Sequence, residues 1–131
     1  MKSSLKTKSK LSEQAQEFRT AFRVSNSTTP ASRTTQRTLI VEEFKEFLEA
    51  ENFLFRNGKV FHEEALKELA DLVYVCYQYA TNLGWDLDEA LDRVHTSNMS
   101  KLDVDGTPIY RNDGKVLKGP NYKPPVLTDL V

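Results

Sequence analysis

Two pairs of acidic residues are the part of this sequence best suited to chemistry. Glu43 and Glu46 form the first pair, and Glu68 and Asp71 form the second, each spaced i, i+3 in a segment with helical patterning. On a helix this spacing places both carboxylates on one face, one turn apart. Since two like charges this close repel each other, the pattern favours a bound hard cation such as Mg²⁺ or Mn²⁺, which prefers oxygen ligands. Two such helices side by side would present four carboxylates to a cluster of metal ions, an arrangement that suits phosphate chemistry.

The first acidic pair lies at the edge of the apolar stripe of its helix. With Ile40 placed at 0° and about 100° per residue, Phe44 falls near 40° and Phe47 near 340°. Glu43 then falls near 300° and Glu46 near 240°, at the margin of that stripe. A metal site is built at such a margin, and ordinary glutamates on a solvated helix face also lie there. Both interpretations stay open at this point.

Hydrophobic periodicity and turn signals divide the chain into four predicted helices. They span about 12–24, 35–54, 62–82 and 87–97. Gly84 is suited to the C-terminal cap of the third helix. Asp86 and Glu89 match a capping box at the start of the fourth. These elements predict an all-α fold.

The predicted third helix is apolar on nearly every side from Leu69 to Ala80. A helix that is apolar all round is buried all round, and a domain of four helices can cover only one of its faces. We therefore predict that a second subunit covers another face of this helix.

After the fourth helix, the turn sequence NDG at 112–114 predicts a small C-terminal β-hairpin within 107–118, followed by an extended tail. The predicted organisation is a flexible arm at 1–10 and a single domain over 11–131.

The charge of the chain is unevenly distributed although the net charge is only −1. Residues 1–40 carry eight basic and two acidic side chains, whereas residues 41–95 carry five basic and thirteen acidic ones. The acidic middle suits metal ions and the basic flanks suit phosphates.

Cys76, the single cysteine, lies in an apolar run and is predicted to be a core residue. Since no apolar stretch is long enough to span a bilayer and no secretory signal begins the chain, we expect a cytoplasmic protein without membrane contact.

The order of these motifs resembles that of the MazG-like all-α nucleoside triphosphate pyrophosphohydrolases. The sequence EEFKE at 42–46 and ELAD at 68–71 reproduces the pattern E-E-x-x-E followed by E-x-x-D about twenty residues later. The sequences DLVYV at 71–75 and GWDLDEA at 84–90 stand where that family has its next helical segments. The sequences VHTSNMSKL at 94–102 and DGKVLKGP at 113–120 look like the phage and bacterial branch related to phosphoribosyl-ATP pyrophosphohydrolase.

The resemblance implies a fold and a reaction. The implied fold is a four-helix MazG-like bundle that forms an intertwined oligomer, either a homodimer or a tetramer built as a dimer of dimers. The implied reaction is cleavage between the α- and β-phosphates of a nucleoside triphosphate, with release of a nucleoside monophosphate and pyrophosphate. Two or more Mg²⁺ (or Mn²⁺) ions per site are implied. Their ligands, which are also the catalytic residues, would be Glu43, Glu46, Glu68 and Asp71.

Further residues are candidates for contacts around this site. By resemblance, Glu42 is an acid that supports the metal ligands or orients water, and Asn98 and Lys101 match positions near the substrate. The resemblance also singles out Lys115 and Lys118 in the tail, and Arg37 precedes Glu43 closely enough to reach a phosphate. The alternative for all of these side chains is solvation at helix ends and turns.

Three functions are compatible with this pattern. The first is hydrolysis of a (deoxy)nucleoside triphosphate, with a purine such as dGTP as the expected substrate. The second is hydrolysis of phosphoribosyl-ATP. The third is a non-catalytic helical dimer that binds nucleotides or nucleic acid, but the net charge of −8 over residues 41–95 would repel a phosphate backbone. We therefore expect no nucleic-acid partner.

Overall fold

Four α-helices make up most of the described chain. A computed structural model describes residues 10–131, so the predicted arm at 1–10 lies almost entirely outside the described residues. The helices are α1 (Leu11–Ala21), α2 (Pro30–Glu51), α3 (Lys59–Leu83) and α4 (Leu87–Met99), followed by a short 3₁₀ helix at Thr128–Leu130. Within residues 10–131 there is no β-sheet, so the all-α prediction is confirmed. Every helix in this range is too short or too polar to cross a membrane.

The helix boundaries follow from capping residues more closely than from hydrophobic periodicity. The start predicted for α2 near residue 35 was wrong, because the helix begins at Pro30. Thr29 caps it, since its side chain accepts a hydrogen bond from the Ser32 N–H at 3.2 Å, and proline suits the first helical position. At the other junction, Gly84 adopts the left-handed conformation (φ 75°) and the Asp86 side chain accepts from the Glu89 N–H at 3.1 Å, as predicted.

The chain divides into two compact units between Trp85 and Asp86. In the first unit, α2 packs along α3 and α1 also packs on α3. The pair α2 and α3 runs antiparallel, because Ser32 at the start of α2 is hydrogen-bonded to Asn82 at the end of α3. The same direction brings the middle of α2 beside the first half of α3, where the two acidic motifs lie. The single domain expected over 11–131 stays a prediction.

A buried arginine joins α1 to α3 and to the loop before α2. Arg19 is only 1% exposed and donates to the side chains of Asn26, Gln78 and Asn82 and to the Ser25 carbonyl at 2.6–3.1 Å. All four partners are neutral, and burial lowers the pKa of the guanidinium. Because a buried charge is stable only when its hydrogen bonds are satisfied, this network fixes α1 against the end of α3.

The second unit contains α4 and the C-terminal segment. The predicted β-hairpin is reduced to an isolated antiparallel bridge between Tyr110 and Val116. Only the bonds from Arg111 N–H to Lys115 O and from Leu117 N–H to Ile109 O accompany it. The NDG turn therefore forms as expected, but the flanking residues are too few to continue a ladder, and no strand is formed in residues 10–131.

One face of α3 is apolar and uncovered. Leu66, Leu69 and Val73 are 66%, 42% and 44% exposed, and at about 100° per residue they fall within about 60° of one another. Within residues 10–131, α3 is therefore covered only in part. The second subunit predicted for this face stays a prediction.

Candidate metal centre

Three of the four predicted metal ligands converge where α2 packs against α3. Glu43 on α2 and Glu68 and Asp71 on α3 each present one carboxylate oxygen, and these three oxygens lie within 4.8 Å of one another. We refer to these three residues as the acid cluster. Glu68 is buried at 7% exposure, while Glu43 and Asp71 are partly buried. The i, i+3 spacing on α3 and the antiparallel packing of α2 account for the convergence.

Two oxygens of the acid cluster are buried without a hydrogen-bond partner among the described residues. They are Oε2 of Glu43 and Oε2 of Glu68. An unpaired buried carboxylate oxygen is strongly unfavourable unless a positive group or a donor meets it. Glu68 therefore combines the burial of a core residue with the unsatisfied acceptor of a ligand.

The electrostatics of Glu43 reflect this crowding. Its pKa is raised above the usual glutamate value, first because burial disfavours the charged form. A hydrogen bond with the Glu46 side chain and the negative charges of Glu46, Asp71 and Glu68 raise the pKa further. A hard cation bound here would reverse the effect, since it would favour the ionised form.

The fourth predicted ligand, Glu46, stands one turn further along α2. Glu46 is exposed, and its charge and its hydrogen bond to Glu43 contribute to the raised pKa of Glu43. Glu42 is exposed as well. The acid cluster therefore contains one buried and two partly buried carboxylates, and Glu46 is exposed beside Glu43.

Lys67, which is not among the predicted site residues, contacts the acid cluster. Lys67 Nζ lies 2.9 Å from Asp71 Oδ2 and 3.3 Å from Glu68 Oε1. These contacts, with Asp71 first and Glu68 second, raise the pKa of Lys67 above its usual value. The i, i+4 spacing of Lys67 and Asp71 was a signal for this pair, but sequence alone did not show that the lysine would also reach Glu68.

Arg37 lies in a separate concavity. Together with Pro30, Arg33, Thr34 and Tyr79 it lines a cavity of about 220 Å³, and none of the four acids is among the lining residues. From Arg37 to Glu43, α2 turns by about 240° and rises by about 9 Å. The two side chains therefore point in different directions from the same helix.

The remaining predicted substrate contacts all lie in the second unit. Asn98 is exposed near the end of α4, and its carbonyl accepts from the Lys101 N–H at 3.1 Å. The Lys101 carbonyl in turn accepts from the Gly119 N–H at 2.8 Å, which brings the segment containing Lys118 beside the end of α4. Lys118 Nζ lies 4.8 Å from the centre of the Tyr122 ring.

Lys115 lies on the turn beside the bridge, apart from the end of α4. Its N–H donates to the Asp113 side chain at 3.2 Å. Its carbonyl accepts from the Arg111 N–H at 2.8 Å. The backbone of Lys115 is therefore held by the turn, while the residue is exposed.

Comparison with known proteins identifies one family. The model of the family described as PRA-PH, phosphoribosyl-ATP pyrophosphohydrolase, matches residues 11–98. This span holds α1, α2, α3 and nearly all of α4, and therefore all four predicted metal ligands. No curated protein matches the chain.

Proposed function

Because this chain belongs to the phosphoribosyl-ATP pyrophosphohydrolase family, within the MazG-like all-α superfamily, we propose that it hydrolyses a nucleotide between its α- and β-phosphates in a metal-dependent reaction. The products would be a nucleoside monophosphate and pyrophosphate. The observation that carries the proposal is the acid cluster, in which two buried carboxylate oxygens have no hydrogen-bond partner among residues 10–131. A protein without a ligand at this position would be more stable with neutral side chains there.

The donor set of the acid cluster fits a hard divalent cation. All donors are carboxylate oxygens, as Mg²⁺ and Mn²⁺ prefer, and Glu68 is held rigidly by its burial on α3. Glu43, Glu68 and Asp71 would hold the cation, with Glu46 as the fourth ligand. When bound, two or more ions per site would neutralise phosphate oxygens and lower the pKa of a bound water.

The protein side chains supply the remaining steps. One carboxylate of this group would accept the proton of the attacking water. Glu42 orients the ligands or the water. Asn98, Lys101, Lys115, Lys118 and Arg37 stay predicted substrate contacts. No nucleophilic serine or cysteine is required, because positioning and charge neutralisation supply most of the catalysis in phosphoryl transfer.

Two substrates follow from different observations. A purine deoxynucleoside triphosphate such as dGTP is proposed from the resemblance to the phage and bacterial branch, not from any residue that would contact the base. Phosphoribosyl-ATP follows from the description of the matching family, and this observation favours it at least as strongly. Both carry a triphosphate for the same acid cluster.

We also propose that the protein acts as a homodimer or as a dimer of dimers. The uncovered stripe of Leu66, Leu69 and Val73 supports this proposal, since contiguous exposed apolar surface on a helix is typical of an interface. Sedimentation velocity ultracentrifugation of the wild type and a Leu66→Glu variant tests it. Loss of the oligomer in the variant is expected, and a monomeric wild type would contradict the proposal.

The decisive experiment measures pyrophosphate and monophosphate release from NTPs, dNTPs and phosphoribosyl-ATP, with Mg²⁺, with Mn²⁺ and with chelator. We expect metal-dependent release from one or a few substrates. Glu46→Gln and Glu68→Gln should abolish turnover, whereas Glu49→Gln, a matched change of an exposed acid on α2, should leave it unchanged. Folded protein that binds metal and releases no product would contradict the enzymatic function.

The same variants test the non-catalytic alternative. A helical dimer that binds nucleic acid should bind as well or better when Glu46 and Glu68 become neutral, because repulsion of the phosphate backbone falls. An enzyme should lose both metal binding and turnover in these variants.

A further inference from the structure

Lys67 is placed as an internal cation for two members of the acid cluster. Its ammonium contacts Asp71 Oδ2 at 2.9 Å and Glu68 Oε1 at 3.3 Å, while 63% of the side chain remains exposed. The lysine therefore reaches the carboxylates from the solvent side, and the buried Glu68 Oε2 has no hydrogen-bond partner in the part of the chain that the structure describes. Its stem is not enclosed, so the ammonium can leave the carboxylates without disturbing the packing of α3.

We propose that Lys67 is a built-in counter-cation that a divalent metal ion displaces, and that its released ammonium then binds a phosphate group of the nucleotide. The inference rests on the proposed function, since it requires that the acid cluster bind a metal ion. It assigns Lys67 two successive positions and a role in positioning the substrate.

Competition for the same two carboxylates supports the displacement of Lys67 by a metal ion. The ammonium hydrogen bonds occupy Asp71 Oδ2 and Glu68 Oε1, and a metal ion that binds both residues needs carboxylate oxygens at about 2.0–2.1 Å. A divalent ion at that distance repels an ammonium on the same carboxylates. Since exposed ion pairs are weak, the carboxylates release the lysine readily when a stronger cation arrives.

The position and the chemistry of Lys67 support the binding of a phosphate group by its released ammonium. Lys67 directly precedes Glu68 in the chain, so its flexible stem keeps the ammonium near the cluster after displacement. A lysine ammonium is a compact point charge with three donors, and such groups are well suited to phosphate oxygens. Under the proposed function the substrate phosphates would approach the acid cluster, since that cluster would hold the metal ion.

The first measurement is the affinity for Mn²⁺ alone, by electron paramagnetic resonance of the free ion. Lys67→Gln should bind Mn²⁺ about tenfold more tightly than the wild type, because the competing cation is gone. Lys45→Gln is the matched control, because Lys45 is exposed between Glu43 and Glu46 and forms no ion pair within residues 10–131. It should change the affinity by less than about twofold.

The second measurement is the binding of inorganic pyrophosphate in saturating Mg²⁺, by calorimetry. Lys67→Gln should bind pyrophosphate about three- to tenfold more weakly, the reverse of its effect on Mn²⁺, and Lys67→Arg should restore most of the affinity. A lysine that only stabilises the helix would produce neither change.

The outcomes separate this inference from the proposed function. Tight Mn²⁺ binding by the wild type with unchanged or weaker Mn²⁺ binding by Lys67→Gln overturns the displacement and leaves the proposed function intact. Unchanged pyrophosphate binding by Lys67→Gln overturns the phosphate contact. A wild type that binds no Mn²⁺ overturns both the inference and the proposed function.

Discussion

Replacing Glu43 by glutamine should stabilise the protein in the absence of metal and remove its stabilisation by metal. The carboxylate oxygen of Glu43 lies within 4.8 Å of those of Glu68 and Asp71. At this distance two unit charges repel each other by about 1 kcal/mol in water and by about 3.5 kcal/mol at an effective dielectric constant of 20. Glutamine keeps the shape of the side chain and removes its charge.

The expected gain is smaller than the sum of these repulsions. Lys67 already offsets part of the charge of Glu68 and Asp71, and Glu43 retains some contact with water. We therefore expect the free energy of unfolding of Glu43→Gln in chelator to exceed that of the wild type by about 1–2 kcal/mol. For a chain of this length the melting temperature should rise by about 5 °C per kcal/mol.

The gain in stability of Glu43→Gln over the wild type should increase as the pH rises. The folded-state pKa of Glu43 lies above its unfolded value, so the folded protein binds more protons than the unfolded chain between those two values. Stability of the wild type relative to Glu43→Gln therefore falls as the pH rises from about 4.3 through the raised pKa of Glu43. Below about pH 4 the Glu43 contribution to the difference should vanish.

Urea unfolding between pH 4 and 8, in chelator and in Mg²⁺, measures both effects. With Mg²⁺ at about 100 times its dissociation constant, the wild type should gain about 2.7 kcal/mol, whereas Glu43→Gln should gain little. Glu49→Gln, an exposed acid on the same helix, should match the wild type within about 0.5 kcal/mol. A Glu43→Gln variant that is less stable in chelator, or as strongly stabilised by Mg²⁺, would refute the reasoning.

Three further predictions concern the framework around the site. Arg19→Met should lower the free energy of unfolding by about 3 kcal/mol in urea titrations, because buried acceptors such as Gln78 Oε1 lose their donor; an effect below about 1 kcal/mol would contradict the role of this network. Asp86→Ala should cost about 1 kcal/mol by loss of the α4 cap, measured in the same way, while Asp86→Asn should cost much less. Gly119→Ala should destabilise the second unit by about 1–3 kcal/mol in urea titrations, because a Cβ there would overlap the Leu102 carbonyl oxygen; wild-type stability would contradict this.

The helices and the acid cluster were largely predictable because they depend on local patterns. The i, i+3 spacing of Glu68 and Asp71 places both acids on one face of α3 whatever the tertiary structure. The position of Glu43 at the margin of an apolar stripe was compatible both with a metal site and with an ordinary solvated face, and only the packing of α2 on α3 brings it to Glu68 and Asp71. The capping of α4 by Asp86 likewise depends on residues close in sequence, and the structure contains this hydrogen bond.

The parts that sequence missed depend on contacts between distant residues or on the competition between local signals. The start of α2 was placed too late because the serines and threonines of residues 25–35 are typical of loops, although Thr29 followed by Pro30 is a strong helix start. The C-terminal hairpin was predicted from its turn alone, and a turn does not determine how far the ladder extends. Lys67 was missed because its contact with Glu68 depends on the rotamers of both side chains.

The opposite signs expected for stability and for binding distinguish a functional acid from a structural one. A structural glutamate would be paired, and its removal would lower stability. Glu43 instead has a raised pKa, and Glu43 and Glu68 each contain a buried oxygen that has no hydrogen-bond partner within residues 10–131. Buried like charges persist in a fold only when surrounding contacts hold them, and here the packing of α2 along α3 and the anchoring of α1 by Arg19 provide those contacts. Lys67 limits the repulsion without removing it, since its ammonium reaches Glu68 and Asp71 at one oxygen each. Under the proposed function, a divalent cation would bind the carboxylates of the acid cluster, and metal binding should then raise the stability of the fold.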